Sequence, residues 1–547
     1  MVGSGPPFHK TRMKDLKRES LASTLLGDFS KKLVTNTFFN LLGRSWSFLV
    51  SLLLTPYILS HLNVGDFGAW VLFAIFTYSF NLLDLGLGSS FVKYISAYHT
   101  YDDYDRVNKV IFSGLAFYSL FGVLLTIVGL FIGHPLLQLF RIANASEVYF
   151  LVLLTCAVTN IGAMFLSVFK GIQRMDTSNS IEIRMSVVNV LGTIIFLEAG
   201  LGMFGLALNS LINAILTLIL TAFTLRRVVP RVSFGWNFDA ALLREMFAYG
   251  AKISVSKIGG LICFQADKLI VSRVLGLAAV SFYEVSSRLT SFMRAVPLVM
   301  LSALIPATSE LGARNDREKI LRTYLLVSKY VAMVTVALVA FLVLEAGSVV
   351  RLWLGKTFDQ SAFLIQILAI GYGVNVLGGP ASQMGAGVGR PEFDMRSTIL
   401  LSIVNPVASL LLVRKFGAPG AAAGTSLALI AAAIYLLVTF HRNYIETPVW
   451  AVLRDIHARP ILSAILACFA VVGFHHIVPG VLALADIRYL IPIKLAADLA
   501  IFLPGYIVLL VAFRQVSVID WNNFLWLIAF GLDFLRHPFR ERVKIYR

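Results

Sequence analysis

Runs of about 20 apolar residues recur along almost the whole of this chain, broken by short polar hinges, and no other feature narrows its fold as much. A helix of that length covers a hydrocarbon core of roughly 30 Å. The pattern predicts spans at 33–57, 67–92, 108–133, 147–169, 182–199, 203–225, 248–271, 277–305, 323–345, 361–384, 395–413, 418–440, 460–479 and 490–513. The expected fold class is therefore an all-α polytopic membrane protein of about 14 transmembrane helices. With 58% hydrophobic and 14% charged residues, the composition excludes a soluble chain and leaves no segment for a soluble domain.

The charge is placed at helix ends. Counted on alternate sides, with residues within about a turn of a span's end given to that side, 33 Lys and Arg fall with the N-terminus, the even-numbered connections and the tail, 9 fall opposite, and five lie deeper inside spans. The positive-inside rule then puts both termini in the cytoplasm. The same placement excludes nucleic acid as the reason for a net charge of +17. Residues 1–32 are polar and basic with no apolar stretch before a cleavage site, so insertion is expected to begin at the first helix rather than at a cleaved signal. The segment 518–532, with Trp521, Trp526 and a basic end, predicts a helix lying on the cytoplasmic surface. Cys156, Cys263 and Cys468 sit in or beside apolar runs without metal-ligand spacing and read as small core residues.

The first six spans repeat in the next six at a shift of about 215 residues. Gly171-Ile-Gln-Arg174 aligns with Gly387-Val-Gly-Arg390, and Ser186-Val-Val-Asn189 with Ser402-Ile-Val-Asn405. Gly202-Met-Phe-Gly205 aligns with Gly417-Ala-Pro-Gly420, and Asp105-Arg106 with Asp316-Arg317. An even number of helices per copy relates the copies by a pseudo-two-fold axis along the membrane normal, with a cavity between two lobes. The expected organisation is a basic segment 1–32, an N-lobe 33–227, a linker 228–247, a C-lobe 248–441, two extra helices within 460–513 and a cytoplasmic tail 514–547.

A charge inside the bilayer is costly unless it meets water or a partner, so intramembrane ions are the best site markers. Arg44 lies near the middle of span 1 and Lys257 at the matching place in span 7. Arg288 and Arg294 lie inside span 8, about 120° apart on a helical wheel, so at most one points straight into the cavity. Arg288 has two readings, a cavity cation or a local partner of Glu284 one turn earlier. Asp84 is the unpaired acid deepest in the first lobe, a partner for a cavity cation or a site for a coupling ion. Lys93, Lys252 and Lys329 snorkel at helix ends, and Asp267 reads as structural.

Signals of enzyme chemistry are weak. The run Gly385-Ala-Gly-Val-Gly389 lacks the strand-turn-helix context of a dinucleotide site and reads as a tight turn. Asp102, Asp103 and Asp105 read as a solvated hinge, and His475 and His476 as a helix end without neighbouring ligands. No catalytic constellation, cofactor motif or metal-ligand set is present in the sequence. The chain is expected not to be an enzyme.

Gly65-Asp-Phe-Gly-Ala-Trp70 and Leu83-Asp-Leu-Gly-Leu-Gly-Ser89 resemble the opening signature of the polysaccharide biosynthesis (Wzx-type, O-antigen and exopolysaccharide) flippases. The run Gln265-Ala-Asp-Lys-Leu-Ile-Val-Ser-Arg273, with Val280-Ser-Phe-Tyr283 and Leu304-Ile-Pro306, is similar to the family's pattern in helices 7 and 8. The resemblance covers about residues 33–440. It implies a multi-pass protein of the bacterial inner membrane, with two six-helix lobes around a cationic cavity that opens alternately to either side. It also implies translocation of an undecaprenyl-diphosphate-linked oligosaccharide, whose diphosphate Arg44, Lys257 and Arg288 or Arg294 would hold. The implied partners are that lipid-linked substrate, membrane lipid, H+ or Na+ as a coupling ion, and polysaccharide polymerase and chain-length proteins. Fourteen helices resemble the peptidoglycan-precursor branch of the same superfamily, which also holds multidrug and cation antiporters, and both stay open as alternatives. From another class, a glycan polymerase or ligase needs a substantial outer loop, and every outer loop here is short.

Overall fold

The computed structural model describes residues 46, 49–82, 86–232, 238–301, 304–313, 317–445, 448–478 and 487–516. These residues form helices and connecting turns, with no strand among them. Nine of the described helices are long and apolar enough to cross a membrane, and two shorter apolar helices, Leu49–His61 and Val64–Phe80, accompany them. This is a multi-pass helical membrane protein.

The first half holds α1 (Leu49–His61), α2 (Val64–Leu82), α3 (Leu87–Thr100), α4 (Tyr104–Leu139), α5 (Ser146–Gly171), α6 (Met175–Glu198) and α7 (Gly202–Val228). The second holds α8 (Ala240–Leu275), α9 (Leu277–Leu301), α10 (Leu304–Ala313), α11 (Arg317–Leu354), α12 (Gln360–Leu377), α13 (Gly379–Gly387) and α14 (Glu392–Phe440). A final hairpin is formed by α15 (Val449–Ile477) and α16 (Ile491–Ala512). The same pairings recur in both halves, α4 on α5 and α5 on α7 against α11 on α12 and α12 on α14, as the sequence repeat requires.

Four expected spans take a different form. The single span 67–92 is two helices, α2 and α3, because Gly86 has φ 74°, a left-handed conformation that glycine adopts without strain. The span 361–384 is likewise divided, into α12 and α13, at Gly378. Pro380 stands at the start of α13, where the missing proline N–H costs no hydrogen bond. The two spans 395–413 and 418–440 lie in one helical run that folds back on itself at Gly417, φ 64°. Ser397 Oγ donates to the carbonyl of Ala432 and Ser409 Oγ to that of Ala421, the pairing of an antiparallel hairpin. The expected surface helix 518–532 and the basic segment 1–32 lie outside the described residues.

Polar side chains fix where the helices begin. Asp103 accepts a hydrogen bond from the Arg106 N–H and caps α4, which accounts for one member of the acidic cluster 102–105. Asp102 pairs with Arg231 at 2.8 Å. Asp239 caps α8 through the Leu242 N–H, and its own N–H donates to Ser113 Oγ of α4 at 2.9 Å.

The two halves share one apolar core at one end; toward the other end the buried apolar residues divide into two clusters, the first of which also takes Leu242 and Met246 from the start of α8. Phe67, Phe73, Leu153 and Leu206 of the first half pack in one continuous cluster with Val280, Tyr283, Val350 and Leu368 of the second. Toward the other end, Phe91, Val110, Phe169 and Leu225 form one cluster and Leu304, Tyr324, Met384 and Phe440 another. The shared end permits close backbone approach. A Cβ at Gly68 of α2 would stand 2.0 Å from the carbonyl oxygen of Leu277 on α9. Ser281 Oγ beside it donates to the Val64 carbonyl at 2.5 Å. A second seam runs along α3 and α8, where Ser90 Oγ donates to the Met246 carbonyl and Tyr94 OH to Glu245 Oε1.

Candidate functional site

The middle of α9 faces the first half of the protein, and Arg288 is the residue that reaches across. Its Nε donates to Glu284 Oε1 at 2.5 Å, one turn earlier on the same helix. Its Nη1 donates to Ser51 Oγ at 3.1 Å and Thr55 Oγ1 at 2.9 Å, both on α1. Glu284 is shared: its Oε2 lies 2.6 Å from Lys268 Nζ of α8, which in turn donates to Gln265 Oε1. Two cations on one carboxylate leave this group one positive charge in excess. Arg288 pairs with Glu284 and also borders a cavity, with 29% of its side chain exposed.

That cavity has a volume of about 270 Å³ and lies between α1, α6, α7 and Arg288. Ser51, Thr55, Asn189, Asn209 and Ser210 give it a wall of hydroxyls and amides. Much of that wall is bound inward: Asn209 Nδ2 donates to the Asn189 main-chain carbonyl at 2.9 Å and to Thr193 Oγ1 at 3.0 Å. Trp46 Nε1 donates to Ser186 Oγ, one of the lining hydroxyls, at 3.2 Å.

Arg294 takes another environment. Its guanidinium stacks 4.8 Å from the Phe264 ring centroid and 5.2 Å from that of Tyr372, inside the second half. The helical-wheel separation of Arg288 and Arg294 thus divides them, one on the cavity and one in an aromatic slot. Arg44 and Asp84 lie outside the described residues. Lys257 lies on α8 at a position whose side chain is outside them.

Three features escaped the sequence. Asp267, expected to be structural, is fully enclosed: its Oδ2 accepts from Tyr283 OH and its Oδ1 from Ser409 Oγ, each at 3.1 Å. Thr425 Oγ1 lies 2.9 Å from Tyr283 OH, and Asn405 Oδ1 lies 3.0 Å from Ser409 Oγ, whose single proton serves Asp267. No group of three or more His, Cys, Asp or Glu among the described residues forms a metal cluster.

The second feature is the fastening of the terminal hairpin. Lys494 Nζ of α16 bridges Glu345 of α11 at 2.5 Å and Asp498 of its own helix at 2.7 Å. His475 Nε2 of α15 lies 2.7 Å from Asp498, so this histidine does have an acidic neighbour, contrary to expectation. The i,i+4 spacing of Lys494 and Asp498 inside a span was the available signal.

The third concerns backbone. The carbonyl of Leu52 on α1 would ordinarily pair with the N–H of residue 56, and Pro56 has none. Trp353 Nε1, at the end of α11, donates to that carbonyl at 2.7 Å from the opposite half. A proline four residues on is legible in sequence, but its partner 301 residues away is not.

Residues 61–363, more than half of the chain, match the sequence family described as polysaccharide biosynthesis protein. The chain belongs to that family. The resemblance carried by the glycine-rich signatures of α2 and α3 is borne out. Within the family's wider circle, the protein is 21% identical over 416 residues to a putative O-antigen transporter of Shigella flexneri, covering 74% of this chain and 96% of that one. It is 24% identical over 267 residues to a probable low-salt glycan biosynthesis flippase of Haloferax volcanii, covering 48% and 54%. Among solved structures, the lipid II flippase MurJ in an inward closed conformation superposes with a TM-score of 0.64 at 15% identity, covering 88% and 99%. An inward-facing multidrug transporter of the MATE family gives 0.60 at 20% identity, covering 77% and 96%. These two likenesses establish that this polysaccharide biosynthesis protein has the fold of that superfamily.

Proposed function

We propose that the protein is a flippase carrying an undecaprenyl-diphosphate-linked oligosaccharide from the cytoplasmic to the outer leaflet by alternating access, for cell-surface polysaccharide. The observation that carries this reading is Arg288, a partly exposed guanidinium in mid-helix that reaches from the second half onto a polar cavity of the first half of a polysaccharide biosynthesis protein. A sugar headgroup needs such a route because each unpaired hydroxyl costs on the order of 4–8 kcal/mol in hydrocarbon. The excess charge of the Lys268–Glu284–Arg288 group suits a diphosphate, with Arg44 and Lys257 as its further cations. The polyprenyl tail stays in lipid, along α15 and α16.

Alternating access needs a closed end and an end that parts. The shared core and the Trp353–Leu52 contact supply the first; at the second the clusters divide except where the start of α8 packs on α3, so that segment moves with the first half. With both termini cytoplasmic, the shared end is the outer one and the cavity is loaded from the cytoplasm. Export of negative charge through an inside-negative potential gains about 2.3 kcal/mol per charge per 100 mV. H+ or Na+ as a coupling ion adds a second driving force, with Asp84 as its candidate site.

The test is complementation of a deletion strain. Arg44→Ala, Lys257→Ala and Arg288→Ala are each expected to abolish surface polysaccharide at unchanged protein level, with lipid-linked oligosaccharide accumulating on the inner leaflet. Normal export by all three removes the anion site.

A further inference from the structure

Near the middle of α6 the fold leaves one amide unused. Its polar neighbours are bound: Asn213 Nδ2 donates to the Met185 carbonyl at 2.8 Å, Ser210 Oγ to that of Leu206, and Asn209 to the Asn189 main chain and Thr193. The side-chain carboxamide of Asn189 has no hydrogen-bond partner among the described residues, although it stands at membrane depth on the cavity wall. Its amide is not among the buried unpaired atoms of the described residues, so it can be reached from the cavity and is open to a ligand.

The internal repeat supplies a control within the molecule. Asn405 occupies the same place in the motif Ser402-Ile-Val-Asn405 that Asn189 occupies in Ser186-Val-Val-Asn189. Asn405 is fully buried, donates Nδ2 to the Cys263 carbonyl at 2.8 Å and has its Oδ1 3.0 Å from Ser409 Oγ. One copy of the residue is thus spent on packing and the other faces open space. The difference lies in the cavity, which only the first copy borders.

A carboxamide offers two donors and one acceptor without charge, the complement of a sugar hydroxyl or acetamido group rather than of a phosphate. Arg288 borders the same cavity and supplies the charge that a phosphate needs. At about 270 Å³ the space fits a sugar ring and not an oligosaccharide. A ring held beside Arg288 is the one attached to the diphosphate.

Resting on the reading of the protein as a lipid-linked oligosaccharide flippase, we infer that Asn189 is a specificity residue that hydrogen-bonds the first sugar of the headgroup. Arg288 then reads the phosphate and Asn189 the sugar. The residues of the glycan further out are not read at this site.

The full-length protein in lipid nanodiscs tests this with two probes, undecaprenyl diphosphate and the lipid-linked oligosaccharide that accumulates in the deletion strain. The native protein is expected to bind the sugar-bearing lipid about three- to ten-fold more tightly, the worth of one or two neutral hydrogen bonds. Asn189→Ala brings that ratio to about one, and Asn189→Gln restores part of it. Asn213→Ala, which removes a packing bond, lowers thermal stability and keeps the ratio. A ratio unchanged in Asn189→Ala, or no preference for the sugar in the native protein, overturns the assignment. Binding of neither lipid by the native protein overturns the flippase reading itself, a distinct result.

Discussion

Trp353→Phe removes one donor and little volume, and the structure says what the loss exposes. The Leu52 carbonyl has no intrahelical N–H to turn to because Pro56 follows it, so losing the Trp353 Nε1 bond of 2.7 Å orphans the oxygen at the joined end. An orphaned buried carbonyl costs about 1–3 kcal/mol. Only the state with that end closed makes the bond, so the cost falls on that state alone. A shift of 1–2 kcal/mol changes the ratio of two states about 5–30-fold. Double electron–electron resonance between labels at Leu201 and Phe363, both exposed, reports the separation of the halves at that end. Trp353→Phe is expected to increase the long-distance population. Pro56→Ala supplies a local N–H, so in that background Trp353→Phe loses most of its effect, and the double-mutant cycle measures the coupling. An unchanged distance distribution in a folded Trp353→Phe protein refutes the reasoning, as does full additivity with Pro56→Ala.

Other perturbations follow from the same contacts. Gly68→Ala places a Cβ against the Leu277 carbonyl and is expected to cost about 1–3 kcal/mol and open the shared end, which the same distance measurement detects. Lys494→Met leaves Glu345 and Asp498 buried without their cation and is expected to destabilise by about 3–5 kcal/mol, seen in thermal unfolding. Combining it with Glu345→Gln and Asp498→Asn recovers most of that loss. Arg288→Lys keeps a charge but not the fork that spans Glu284, Ser51 and Thr55, and is expected to retain less export than the native protein.

Much of the helix order was legible because lipid leaves the backbone few alternatives, and apolar runs and hinges therefore map onto helices directly. Gly86 shows the limit: a glycine inside an apolar run is compatible with a continuous helix or a break, and only tertiary packing decides. The repeat was legible as spaced identities, and it placed Asn189 and Asn405 in register without saying that one is satisfied and the other free. Arg288 was visible as a charge in a span. Its grip on Ser51 and Thr55 was not, because those residues lie more than 230 positions away. The bridging of Glu345, Lys494, Asp498 and His475 joins three helices, and no local pattern encodes such a meeting.

Translocation in sealed proteoliposomes tests the account most directly. Lipid-linked oligosaccharide placed in one leaflet should appear in the other at a rate above protein-free vesicles, and Arg288→Ala protein at equal density should bring that rate down to the vesicle background. Native protein that moves no lipid above background, or an Arg288→Ala protein that moves it at the native rate, contradicts the claim that this cavity carries the headgroup.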